Sequence, residues 1–170
     1  MARTLNNRGV KILKSFHLLF VMMWVIGVFT MAALYLLKPQ SGDELFMMLR
    51  IIHFIDYVFV VIGALFAVVT GIIYGIFTNW GFFKNNWITV KWIVAITVIL
   101  VGSFHFFPHL EQALEIADKT RNAAFDNPQL ATSMKLAMYS AFIQGGALAG
   151  LVVITVFKPW KNKKKQINEK

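Results

Sequence analysis

Four apolar runs, each about as long as a helix that crosses a bilayer, dominate this chain of 170 residues. A backbone in hydrocarbon must satisfy its own N–H and C=O groups, which leaves helices or a closed barrel. Runs of this length without strict alternation read as helices. The first covers residues 15–37 and stops at Lys38-Pro39-Gln40-Ser41-Gly42. The second covers 51–79, and its helix is expected to start earlier, because Ser41 with Glu44 three residues on forms a capping box. The third covers 87–107, before Pro108, and the fourth covers 134–157, before Lys158-Pro159. The hydrophobic content of 58% and mean hydropathy of +0.62 exceed what a soluble domain carries. The reading is all-α: an integral membrane four-helix bundle, antiparallel, one domain over residues 1–160 with a basic tail at 161–170.

Charge sets the expected orientation. With both ends on one side, that side holds Arg3, Arg8, Lys11, Lys14, Lys84, Lys91 and the tail lysines. Asp43, Glu44, Glu111, Glu115, Asp118 and Asp126 fall opposite. The positive-inside rule therefore puts both termini in the cytoplasm of a multi-pass protein, of the kind found in a prokaryotic inner membrane. Trp80, Trp87, Trp92 and Trp160 form the expected aromatic belt on that side. The net charge of +9 flanks the apolar runs instead of forming a patch, which argues against nucleic acid as a partner and for the bilayer. The first run is too long for the apolar core of a signal peptide, so it is read as a span. Cysteine is absent, which removes disulfides, iron–sulfur clusters and covalently attached haem. Between the third and fourth spans, Leu110, Leu114 and Ala117 recur at helical spacing among Glu111, Glu115 and Asp118. They predict a short amphipathic helix lying on the outer surface, with Asp126-Asn127-Pro128 turning into the last span.

Ionisable groups inside apolar runs are costly and mark candidate sites; here they are His17, His53, Lys91 and His105. In the third span, Lys91, Ala95, Val98, Gly102, His105 and His109 share one helical face, with Trp92, Ile93, Ile96, Ile99 and Leu100 left for lipid. A second stripe runs through His53, Asp56, Val60, Gly63, Ala67, Thr70 and Tyr74, with Gly71 and Gly75 as a small-residue pair permitting close helix contact. The fourth span offers Ser140, Gln144 and Ala147, and the first offers His17, Trp24 and Gly27.

Depth decides which groups meet. His53 and His105 belong to the outer ends of antiparallel neighbours, so two imidazoles at one level form the axial iron ligands expected of a b-type haem. Gly102, one turn from His105, leaves room for a flat ring, and Asp56 or Tyr57 is placed to orient His53. His17 and Lys91 lie at the cytoplasmic end, about 21 Å away at helical rise, and form a separate polar site for a haem propionate, a quinone or a proton path. Each group has a plainer reading. Near a boundary, His17 and Lys91 snorkel to water, and His53 sits in the headgroup zone beside Arg50.

With these residues in view, the chain resembles a loose group of small membrane proteins that includes the HemJ-type protoporphyrinogen oxidases and the CopD copper-resistance membrane domain. The likeness lies in Leu13-Lys14-Ser15-Phe16-His17-Leu18-Leu19, in Thr70-Gly71-Ile72-Ile73-Tyr74-Gly75, and in Asn86-Trp87-Ile88-Thr89-Val90-Lys91-Trp92. The resemblance implies that His17 and Lys91 are functional and that haem b is bound. It departs where HemJ-type enzymes have an arginine late in the first span, because here Met31-Ala32-Ala33-Leu34-Tyr35-Leu36-Leu37 stands. Three functions are thus expected: quinone-linked electron transfer on haem b, porphyrinogen oxidation, or a copper transport component or structural membrane subunit. An oligomer or a redox partner protein is compatible with each.

Overall fold

The structure is a computed structural model, and it describes residues 5–78, 81–83 and 85–159. The expectations for Arg3, Trp80, Lys84, Trp160 and the 161–170 tail lie outside the described residues. The chain is all-helical, with no strand among the described residues. Four continuous helices are long and apolar enough to cross a membrane: Asn7–Leu34, Gly42–Phe77, Asn86–Asp126 and Pro128–Phe157.

Local signals account for the ends. Helix α1 (Asn7–Leu34) starts where the Asn6 side chain accepts from the Gly9 N–H. Helix α2 (Gly42–Ile55) starts as a capping box: Ser41 accepts from the Glu44 N–H at 3.2 Å, and Glu44 accepts from the Gln40 N–H at 2.6 Å. A π-helical turn, Asp56–Val61, then carries the chain into α3 (Ile62–Phe77) without interruption. Helix α4 (Asn86–Val101) passes through a second π-helical turn, Gly102–Phe106, into α5 (Phe107–Thr120). A 3-10 turn, Arg121–Asp126, leads to α6 (Pro128–Phe157). Asn127 caps α6 on the Gln129 and Leu130 N–H groups, with Pro128 in the first turn, as the Asp126-Asn127-Pro128 signal predicts.

Two expectations change here. Pro108 does not end the third span. The wider π turn rearranges the hydrogen bonds, the Phe107 N–H bonding back to the Gly102 carbonyl, and the proline enters the first turn of α5, where a missing N–H is tolerated. Nor does α5 rest its apolar face on lipid: Leu110, Ala113 and Ala117 are fully buried in the protein core against α2 and α6. The helix is amphipathic, but its apolar side is covered by protein.

Glycines set the closest approach. A β-carbon on Gly63 would stand 2.7 Å from the Trp24 backbone nitrogen, and one on Gly27 would stand 2.8 Å from Val60 Cγ2. The tight crossing of α1 on the second long helix therefore uses Gly27 and Gly63, not the Gly71 and Gly75 pair. The core follows from it: Trp24, Val28, Met31, Leu45, Leu49, Ile52, Val98, Phe106 and Leu110 pack in one cluster.

Candidate functional site

The polar groups that come together lie where α1, α3 and α4 meet. The Thr70 hydroxyl donates to the Phe66 carbonyl at 2.6 Å and shares that proton with the Ala67 carbonyl at 3.1 Å. Thr70 Oγ1 also lies 2.9 Å from His17 Nδ1, and with its one proton on the carbonyls it accepts there when Nδ1 carries the hydrogen. In the tautomer with the hydrogen on Nδ1, the ring is anchored to Thr70 and Nε2 keeps its lone pair. The His17 ring also hydrogen-bonds to the Ala67 backbone, on the same helix as Thr70. An imidazole whose second nitrogen is anchored in this way is prepared to bind a metal or a proton.

Lys91 acts on the His17 ring electrostatically, and Lys158 acts on Lys91. Both lysines stack on the Trp87 indole, with their Nζ atoms 5.5 and 5.9 Å from the ring centroid. Gly71 forms the floor: a β-carbon there would meet Trp92 Cζ2 at 3.4 Å and His17 Cε1 at 3.6 Å. Trp92, read from the sequence as lipid-facing, therefore lines the site. Phe82 lies 5.6 Å from Trp92 and covers Gly75. The Leu5 N–H bonds to the Phe77 carbonyl at 3.0 Å and ties the start of the chain to the same end.

His53 and His105 are arranged differently. His105 is exposed, and its Nδ1 lies 2.6 Å from Ser140 Oγ on α6, with the His109 ring 5.0 Å away. His53 is half-buried, tilted against Phe107 at 5.8 Å, and lines an open groove of about 770 Å³ with Arg50, Glu111 and Glu115. The two rings have separate neighbours: His105 has Ser140 and His109, and His53 has Phe107 and the groove. The second π turn is the physical reason. It inserts one residue into the helical repeat, so the stripe that is inward at Val98 continues through Phe106 and Leu110 instead of His105 and His109. The room at Gly102 is also used: Gln144 Oε1 would stand 3.1 Å from a β-carbon there, so an amide and not a flat ring fills it. The Asp56 carboxyl makes no bond to the His53 ring, although its backbone N–H bonds to the His53 carbonyl; the side chain is buried at 6% exposure beside Tyr35. Sequence reading missed Tyr35, an ordinary aromatic at a helix end. Among the described residues no group of three or more His, Asp or Glu side chains is arranged to hold a metal ion.

No protein-family model, curated protein or solved structure matches the chain.

Proposed function

We propose that this chain is a multi-pass inner-membrane protein of antiparallel helices, with both termini cytoplasmic, that binds haem b at the His17 end and serves electron transfer, with a quinone as exchange partner. One observation carries the reading: the Thr70 hydroxyl, 2.9 Å from Nδ1, anchors the His17 ring, and the Nδ1–H tautomer presents the Nε2 lone pair to iron. The surroundings suit a tetrapyrrole. Trp92, packed on Gly71 beside His17, offers a flat apolar face, and Lys91 with Lys158 offers positive charge for propionates. Bound haem supplies one-electron redox chemistry. His17 would hold the iron, and Lys91 and Lys158 would receive the propionates. The reading rests on His17 instead of the outer pair His53 and His105, whose rings occupy different surroundings.

A second reading, porphyrinogen oxidation of the HemJ type, is favoured by the electrostatic contact of His17 with Lys91, the two positions the resemblance marks as functional. The test is an absorption spectrum of protein purified from haem-replete cells. A Soret band is expected in the wild type, in His53→Ala and in His105→Ala, and not in His17→Ala. A band lost only in the outer variants moves the ligand to that side, and a wild type without any band rejects haem. Rescue of cells lacking their own protoporphyrinogen oxidase, abolished by Lys91→Ala, selects the second reading.

A further inference from the structure

Away from the His17 end, the second long helix carries a buried acid. Asp56 opens the first π-helical turn and is 6% exposed. Among the described residues it makes no ion pair and accepts no side-chain hydrogen bond. Ile52, Val60 and Met31 belong to the same apolar cluster. Next to it, Tyr35 is 7% exposed, and its hydroxyl has no hydrogen-bond partner. Tyr35 feels the Asp56 charge, and its ring stands edge-on to Phe106 at 6.5 Å.

A bare carboxylate in such surroundings costs several kcal/mol even after relaxation, and an unmet hydroxyl adds to that cost. The Tyr35 hydroxyl has no partner as it stands, and a side-chain rotation that lets it share a proton with the neighbouring Asp56 carboxyl satisfies both groups. We propose that Asp56 and Tyr35 form a buried proton-binding site inside the bundle, loaded from the outer groove that His53 lines. In the loaded form Asp56 is a carboxylic acid with Tyr35 as its hydrogen-bond partner. In the unloaded form the proton has passed to groove water and the phenol O–H donates to the carboxylate. π-helical turns recur at functional positions, and this one puts the acid at its first residue.

The neighbours leave the acid free to titrate by itself. Helices α1, α2 and α3 pack around the turn. The cations of α1 (Arg8, Lys11 and Lys14) and His17 lie at its other end, beyond the Gly27–Val60 contact. Helix α2 offers Arg50 and His53, which line the groove. Helix α3 has no charged side chain, and its Tyr74 lies toward the far end. Tyr57, on the turn itself, is 63% exposed and turned away. The inference stands apart from the haem reading and needs no cofactor.

The test uses the full chain in liposomes and dicyclohexylcarbodiimide, which attacks protonated carboxyls in apolar surroundings. A single adduct on the Asp56 peptide is expected by mass spectrometry, falling about tenfold per pH unit above its midpoint, as the protonated fraction does. Asp56→Asn abolishes it, and if that variant fails to insert, peptide mapping of the wild type decides. Tyr35→Phe moves the midpoint, which a tyrosine with a packing role alone would not do. No adduct on Asp56 at any pH overturns the proposal. So does an unmoved midpoint in Tyr35→Phe, and so does protection by sodium at fixed pH, which marks a cation site instead.

Discussion

At the scale of single residues, the hydroxyl of Thr70 has the largest consequence. It lies 2.9 Å from His17 Nδ1 and is itself tied to backbone carbonyls, so it holds the imidazole in one orientation. Thr70→Val keeps the shape and removes the acceptor. The expected loss is about 1 kcal/mol of stability in detergent, the net worth of a neutral hydrogen bond. A weakened or shifted haem spectrum follows if the tautomer governs ligation, and thermal melts with absorption spectra of the variant check both. Thr70 was legible in the sequence only as one member of a stripe. Its bond to His17, 53 residues away, needs two helices at a defined rotation.

Elements are held by close backbone contact and by one latch. Gly63 faces the backbone of α1, so a larger side chain has no flexible neighbour to displace. Gly63→Leu is expected to cost about 1–3 kcal/mol by overpacking and to separate α1 from α3, read as a lower melting temperature and loss of any His17-dependent spectrum. The latch joins α2 to the 3-10 turn. Gly42 N–H bonds to Asn122 Oδ1 at 2.6 Å, and its α-carbon lies against the Arg121 backbone. Arg121 pairs with Asp118 at 2.9 Å and stacks 3.8 Å over Phe46. Arg121 itself has φ 46°, an uncommon conformation for a residue with a side chain. Gly42→Ala forces the two backbones apart, so trypsin added from the outer side is expected to cut at Arg121 in the variant and to spare the wild type. Equal cutting of both would show that the contact does not hold the turn. A capping box and an Asn-Pro start were readable here, because capping is local chemistry. The two π turns were not, because a π turn leaves the residue types of the run unchanged and alters only their register.

For the whole molecule, the absence of cysteine makes topology directly measurable. With both termini cytoplasmic, Lys119→Cys is expected to react with a membrane-impermeant maleimide in intact cells, and Lys11→Cys only after permeabilisation. The reverse pattern inverts the proposed orientation and puts the His17 site outside. The sequence by itself determined four long helices, the capped starts at Ser41 and Asn127, and the identity of His17 and Lys91 as unusual groups, since hydropathy and capping are sums over neighbouring residues. The tertiary structure alone decided which of the ionisable groups meet. It turned His105 outward through a one-residue shift in register and gave the Gly102 space to Gln144. It also brought Thr70 and Trp92 to His17, and left Asp56 with Tyr35. Contacts between helices depend on rotation about each axis, and a single added residue in a turn changes that rotation by about 100°.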